Sequence, residues 1–122
     1  MPVKVLVVDD NPDVLTSIDY TLKPLGYEIL KASSGKECLD ILKTQTVDVI
    51  LLDIMMPEED GWQVASKIRE HAQWRSLPII FVTAKADDMS ISLGSLCSEE
   101  YLIKPFEPHD LIRAIQRIVS KR

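Results

Sequence analysis

Five polar residues of this sequence stand where short apolar runs end. They are Asp9, Asp10, Asp53, Thr83 and Lys104. Clustered carboxylates raise one another's pKa, so three aspartates that meet in one place need a cation if all of them are to be ionised. Three carboxylates and a lysine are therefore expected to form a cation-binding pocket, provided that the fold brings these residues together.

The apolar runs before these residues are typical of strands in a parallel sheet. Runs of this length, separated by helical patterns, indicate strands that are covered by helices on both faces. The predicted strands are Val3–Val8, Tyr27–Ala32, Val47–Leu52, Pro78–Val82 and Tyr101–Ile103. Because parallel strands point the same way, their carboxyl ends share one edge, where open α/β sheets bind ligands. We therefore expect the five polar residues to meet in one small pocket.

Helical patterns lie between and after the strands. N-cap residues, or a proline at the first helical position, mark where several of them begin. Their apolar positions run from Val14 to Leu25, from Cys38 to Leu42, from Val64 to Ala72 and from Leu111 to Val119. The alternation calls for one more helix between the fourth and fifth strands, but residues 86–96 lack a good apolar stripe. We expect that fourth helix to be short, frayed or missing.

This alternation predicts a doubly wound, flavodoxin-like α/β fold with right-handed crossovers. The expected five-stranded parallel sheet has the order 2-1-3-4-5, one of the two common solutions, and its switch point lies between strands one and three. Asp9, Asp10 and Asp53 all fall at that switch point. The length of 122 residues fits a single domain over residues 1–122.

The composition excludes several classes of protein. The net charge is -5, from 14 basic and 19 acidic residues, which disfavours nucleic-acid binding by this domain. No apolar stretch approaches the ~20 residues that span a bilayer, and the N-terminus lacks a signal-peptide pattern. We therefore expect a cytoplasmic protein that does not bind membranes. Cys38 and Cys97 lack metal-like spacing and are expected to be reduced structural thiols.

The sequence closely resembles the receiver domain of two-component response regulators. Five motifs across the whole chain carry the resemblance: Val7–Asn11, Leu51–Pro57, Asp60-Gly61, Phe81–Lys85 and Tyr101–Phe106. Their order and spacing are far more specific than any one motif. The steps are 43 residues from Asp10 to Asp53, 30 from Asp53 to Thr83 and 21 from Thr83 to Lys104.

The resemblance implies a role for each site residue. Asp53 would accept a phosphoryl group, and Asp9, Asp10, Asp53 and the backbone carbonyl of Met55 would hold Mg²⁺. Octahedral Mg²⁺ takes hard oxygen ligands and commonly bridges carboxylate and phosphate. Thr83 and Lys104 would each contact a phosphoryl oxygen.

The resemblance also implies a switch and its partners. Thr83 would move toward the phosphoryl group while Tyr101 changes between outward and inward rotamers. The donor would be a sensor histidine kinase or a phosphotransfer protein. A downstream protein or output domain would bind the face formed by the fourth helix, the fifth strand and the last helix, and this face could also support a homodimer. The domain would not be an enzyme. Its acyl phosphate would hydrolyse slowly, and Met55 and Lys85 would flank the path of the attacking water.

One segment departs from the family pattern, and two other functions compete with a switch. The family's Gly-Ala-Asp-Asp/Gly-Tyr is replaced by Cys97-Ser98-Glu99-Glu100-Tyr101, which suggests altered output geometry. The first alternative is a phosphorylation-independent interaction module. The second is a Mg²⁺-dependent phosphatase with an aspartyl-phosphate intermediate, although such enzymes generally place the nucleophile in an Asp-x-Asp motif on the first strand.

Overall fold

The computed structural model describes residues 2–57, 59–83 and 100–120, without the side chains of residues 83 and 100. Its centre is a sheet of five parallel strands in the order β2-β1-β3-β4-β5. The strands are β1 (Lys4–Val8), β2 (Glu28–Ala32), β3 (Val49–Asp53), β4 (Ile79–Thr83) and β5 (Glu100–Ile103). The predicted fold class and strand order are therefore confirmed.

Two strands extend one residue further than their apolar runs. Asp53 is the last residue of β3 and pairs with Val82, and Thr83 is the last residue of β4 and pairs with Ile103. The pairing of a parallel ladder depends on the backbone, so it continues past the point where the side chains turn polar. As a result, two of the candidate site residues are held inside the sheet rather than on loops.

Helices lie on both sides of this sheet. They are α1 (Pro12–Leu22), α2 (Gly35–Thr44), α3 (Gly61–Glu70) and a C-terminal helix (Pro108–Ser120). Two short 3₁₀ turns, Lys23–Leu25 and Ala72–Trp74, follow α1 and α3. The fourth helix expected at residues 86–96 lies outside the described residues, as does Cys97.

The predicted apolar stripes of the first and third helices each end with one residue that lies beyond the helix. Leu25 is 55% exposed in the turn after α1, where Pro24 cannot donate a backbone hydrogen bond and Gly26 takes a left-handed φ of 94°. Ala72 is also exposed and follows His71, whose extended backbone ends α3. Helical spacing in the sequence continued past both ends because a short 3₁₀ turn has a similar repeat.

Alternating strand residues divide the core into two layers, because successive side chains of a strand point to opposite faces. Even-numbered positions of β1 and β3, such as Leu6 and Ile50, pack with α2 and α3. Odd-numbered positions, such as Val7 and Leu51, pack with α1 and the C-terminal helix. The sheet that carries the candidate site is therefore covered on both faces.

Two smaller features complete the fold. Cys38 is a free, fully buried thiol of the first layer, and burial raises its pKa to about 12, which fits the predicted structural role. Within the part of the chain that the structure describes, no helix is long and apolar enough to cross a bilayer.

Candidate functional site

Three carboxylates and one ammonium group meet at the carboxyl edge of the sheet. Oxygens of Asp9, Asp10 and Asp53 all lie within 4.8 Å of one another. Nζ of Lys104 lies 2.9 Å from Oδ2 of Asp9 and 3.7 Å from Oδ1 of Asp53. The fold thus joins residues from the ends of β1, β3 and β5 that are far apart in the sequence.

Both carboxylate oxygens of Asp9 have a partner. The residue is only 2% exposed, and its N–H donates to the carbonyl oxygen of Ala32 across 3.1 Å. Oδ1 accepts a hydrogen bond from the Asn11 N–H at 2.9 Å, and Oδ2 accepts one from Nζ of Lys104. Hydrogen bonds of this kind hold a buried carboxylate in one orientation.

The carboxylate of Asp53 is also buried, with 3% of the residue exposed. Oδ1 accepts the N–H of Met55 at 3.3 Å. Burial, together with the negative charge of Asp9, raises its pKa to about 6, although Lys104 and the Met55 N–H act in the opposite direction. Removal of water and repulsion by a like charge both disfavour the ionised form. A cation at this position would favour it again.

The donor set fits Mg²⁺. The group offers three carboxylates, of which Asp9 and Asp53 are buried and Asp10 is exposed. Mg²⁺ takes oxygen ligands and keeps several of its waters, so it needs carboxylates on one side and open solvent on the other. The exposed side at Asp10 provides that opening.

Gly61 packs against the end of β3 beside the site, a role that neither its loop position nor the Asp60-Gly61 motif predicted. A Cβ placed at this position would lie 2.6 Å from the carbonyl oxygen of Asp53 and 2.8 Å from Cα of Ile54. The Gly61 N–H donates to the Ile54 carbonyl oxygen at 2.9 Å, which draws the start of α3 against the end of β3. Its position after a capping aspartate, Asp60, was the available signal.

Replacing Gly61 with alanine is therefore expected to lower the free energy of unfolding by about 1–3 kcal/mol, because the added methyl group meets backbone atoms that cannot move alone. It should also weaken Mg²⁺ binding by shifting Asp53. Urea denaturation and magnesium titration measure the two effects. Gly26→Ala is the control, because a Cβ at this position meets no neighbouring atom and is strained only by the positive φ of the backbone. This variant should leave Mg²⁺ affinity unchanged. Equal Mg²⁺ affinity in both variants would contradict this role of Gly61.

The other predicted site residues are placed as follows. Thr83 ends β4 next to Ile103, and its side chain is not described. Tyr101 is half-buried, with its hydroxyl oxygen buried, so its polar tip does not lie at the surface. The side chain of Met55 is 53% exposed. Its N–H donates to Asp53, and the role of its carbonyl as a Mg²⁺ ligand stays a prediction. Lys85 lies outside the described residues.

Comparison with known proteins decides the family. Residues 5–116 match the response regulator receiver domain. This chain belongs to that family. The resemblance seen in its sequence motifs is thereby confirmed. Receiver domains bind Mg²⁺ at an acidic pocket, and in this receiver domain Asp9, Asp10 and Asp53 form an acidic group.

Relatives of this receiver domain include regulators and solved receiver structures. The alkaline phosphatase synthesis transcriptional regulatory protein PhoP of Bacillus subtilis is 35% identical over 119 residues, which are 97% of this chain and 49% of that protein. Chemotaxis protein CheY4 of Vibrio cholerae has a TM-score of 0.92 at 30% identity, with 97% and 99% of the two chains covered. Response regulator TrrA of Thermotoga maritima, solved in complex with Mg²⁺-BeF, has a TM-score of 0.85 at 31% identity, with 95% and 98% covered.

The receiver domain spans about half the length of the curated relatives that it matches, between 46% and 50% for four of them. The similarity to these relatives therefore concerns the receiver domain alone.

Proposed function

We propose that this receiver domain is a phosphorylation-dependent switch that accepts a phosphoryl group on Asp53. The observation that carries the proposal is the position of this carboxylate. It is buried, it lies within one group with Asp9 and Asp10, and it has the Lys104 ammonium 3.7 Å away. A buried acidic group of this kind with one lysine is suited to a reaction that adds negative charge beside a cation.

The site residues support a phosphoryl transfer in which the protein forms no covalent bond other than the one to Asp53. An oxygen of Asp53 attacks the phosphorus of a donor phosphohistidine whose other ring nitrogen carries a proton. The P–N bond breaks, its electron pair stays on nitrogen, and neutral imidazole is released while the acyl phosphate forms on Asp53. Bound Mg²⁺ would be held by Asp9, Asp10, Asp53 and the Met55 carbonyl, and would neutralise charge between carboxylate and phosphoryl oxygens. Such transfers depend mainly on positioning and on charge stabilisation.

Charge balance supports the same assignment. Three carboxylates repel an anionic donor, but the two charges of Mg²⁺ and the one charge of Lys104 offset them. After transfer, Lys104 would pair with one phosphoryl oxygen and Thr83 would donate its hydroxyl to another. The relative TrrA was solved in complex with Mg²⁺-BeF, which supports Mg²⁺-dependent chemistry in this receiver domain.

Mass spectrometry after incubation with Mg²⁺ and acetyl phosphate tests the proposal. We expect an adduct of about 80 Da, the mass of one phosphoryl group, in the wild-type protein and none in Asp53→Asn. Asp40→Asn, which changes an exposed aspartate on α2, is the matched control and should be modified normally. An unmodified wild-type protein would favour the phosphorylation-independent interaction module. Turnover of varied phosphoesters would favour the phosphatase.

The acyl phosphate is expected to be long-lived because Met55 offers no hydrogen bond to an attacking water. Its exposed thioether follows the acceptor by two residues. Met55→Asn should shorten the half-life of the adduct several-fold, up to about tenfold, which is less than the ~10²–10⁴-fold of a positioned acid or base because an amide only orients the water. Met55→Leu, which keeps an apolar side chain of similar size, should not. Loss of the 80 Da adduct with time measures both, and equal half-lives in all three proteins would count against this role.

Receiver domains are signalling domains, and we propose that the finer features follow that pattern. The donor is a histidine kinase or phosphotransfer protein, and the output partner binds the face that includes β5 and the C-terminal helix, where a homodimer could also form. The net charge of -5 supports a protein partner over nucleic acid. A single domain over residues 1–122, a cytoplasmic location and the absence of enzymatic turnover stay predictions.

A further inference from the structure

We propose that Trp62 is a positioning residue of the switch, acting on Tyr101 through Phe81. The inference rests on the proposed function, because it concerns how phosphorylation of Asp53 is coupled to the position of Tyr101. It assigns a role to a side chain outside the phosphorylation motifs.

Three aromatic rings form a row from α3 to β5. The ring centroids of Trp62 and Phe81 lie 4.4 Å apart, and those of Phe81 and Tyr101 lie 6.4 Å apart, each pair tilted by 49°. Tilted rings at such distances attract each other beyond the effect of burial alone. Phe81 therefore lies between one ring on α3 and one ring on β5.

Phe81 has little freedom to move independently. It is fully buried, and in the sheet it pairs with Leu52 on β3 and with Tyr101 on β5. Close-packed interiors respond to a lost neighbour by a shift of the adjoining side chains. The position of Phe81 thus depends on the ring of Trp62, and the position of Tyr101 depends on Phe81.

The other end of the row is attached to the phosphoacceptor strand. Trp62 lies in the first turn of α3, whose start is fixed by a capping box between Asp60 and Gln63. The preceding residue, Gly61, packs against the Asp53 carbonyl so closely that a Cβ would lie 2.6 Å from its oxygen. A displacement at the end of β3 is therefore passed to Trp62 directly.

The row supports the inward position of Tyr101. Its hydroxyl oxygen is buried in this structure, and its ring lies beside Phe81. Truncating Trp62 leaves space beside Phe81, which can then relax toward α3 and away from Tyr101. The ratio of inward to outward Tyr101 should fall about three- to tenfold, as the loss of one aromatic contact implies.

Fluorine NMR of the full chain labelled with 3-fluorotyrosine tests this inference. The three tyrosines give three signals, assigned with Tyr20→Phe and Tyr27→Phe. With Mg²⁺ and beryllofluoride, we expect Trp62→Leu to shift the Tyr101 signal toward its outward form and Trp62→Phe to restore it. Trp74→Phe is the matched control, since the Trp74 ring packs against His71 instead, with ring centroids 4.3 Å apart. An unchanged Tyr101 ratio in Trp62→Leu overturns the inference.

A second measurement covers the case in which Trp62→Leu does not fold. Coupling between two positions is reciprocal, so Tyr101 must also affect Trp62. In Trp74→Phe, the remaining Trp62 should change its fluorescence emission when beryllofluoride binds, and the further change Tyr101→Leu should remove most of that response. The inference is overturned if Trp62 fluorescence does not respond to beryllofluoride, or if it responds equally with Tyr101 and with Tyr101→Leu.

The phosphoryl adduct separates this inference from the proposed function. If wild-type protein forms no adduct with acetyl phosphate, the proposed function fails. If wild-type and Trp62→Leu form the same adduct while Tyr101 is unaffected by Trp62, only the role of Trp62 fails.

Discussion

Replacing Asp9 with asparagine is expected to lower Mg²⁺ affinity at least about 100-fold, because losing an indirect supporting residue of a metal site already costs 10–100-fold. Asp9 is buried and contributes one of the three carboxylates of the site. Phosphorylation of Asp53 should be lost at Mg²⁺ concentrations that saturate the wild-type protein. The change keeps the shape of the side chain and an oxygen to accept the Asn11 N–H.

A second consequence of this variant concerns Lys104. With its 2.9 Å partner neutralised, the ammonium is expected to move toward Asp53, which lies 3.7 Å away in the wild-type protein. A tighter pair with the acceptor would favour its ionised form but hinder its approach to an anionic donor. The phosphorylation defect should therefore persist even at high Mg²⁺.

Magnesium titration by calorimetry and the 80 Da adduct measure these two effects of Asp9→Asn. Asp13→Asn is the control, because Asp13 is an exposed aspartate in the first turn of α1 and lies outside the carboxylate group among the described residues. It should bind Mg²⁺ like the wild-type protein. Normal affinity in Asp9→Asn, with normal circular dichroism, would remove Asp9 from the metal site.

The second large effect is on stability without metal: Asp53→Asn should raise the free energy of unfolding at pH 8 by up to about 3 kcal/mol, from 1.36 kcal/mol per pKa unit. Burial and the charge of Asp9 raise the Asp53 pKa from 3.8 to about 6 in the folded protein. At pH 8 the carboxylate is ionised in both states, and only the folded state bears the cost of holding it in this environment. The asparagine carries no such cost.

The sign of the pH dependence follows from the same shift. Between pH 8 and pH 4 the folded protein takes up a proton on Asp53 before the unfolded chain does, because its folded pKa is about 6. Stability from this group is therefore fully present below pH 3.8 and is lost as the pH rises through 6. Bound Mg²⁺ should reverse the trend, since it requires the ionised carboxylate, and Mg²⁺ affinity should rise with pH through 6.

Urea denaturation with EDTA at several pH values measures the difference in stability between wild type and Asp53→Asn. That difference should be largest at pH 8 and shrink toward pH 4. Asp40→Asn, at an exposed position on α2, should show a small difference that does not follow this course. A gap between wild type and Asp53→Asn that stays constant over the range would show that Asp53 titrates normally in the folded protein.

The sequence predicted a parallel sheet with a group of polar residues at one edge, and 2-1-3-4-5 was one of two common strand orders for it. The sequence shows apolar runs with helical spacing between them, and parallel strands share one carboxyl edge. These two facts place Asp9, Asp10, Asp53 and Lys104 at one end of the domain. These inferences hold because side-chain periodicity and strand direction are local properties that the chain carries along its length. The same periodicity overran α1 at Leu25 and α3 at Ala72, where backbone hydrogen bonding ended the helix.

How these residues act on one another depends on the packing of the folded chain. The tertiary structure showed that Lys104 lies nearer to Asp9 than to the acceptor, that Gly61 touches the Asp53 carbonyl, and that Trp62 reaches Tyr101 through Phe81. It also set the Asp53 pKa near 6. Each of these depends on distances of a few ångströms between segments far apart in the chain. Spacing along a sequence cannot specify such distances, because they result from how the helices pack against the sheet.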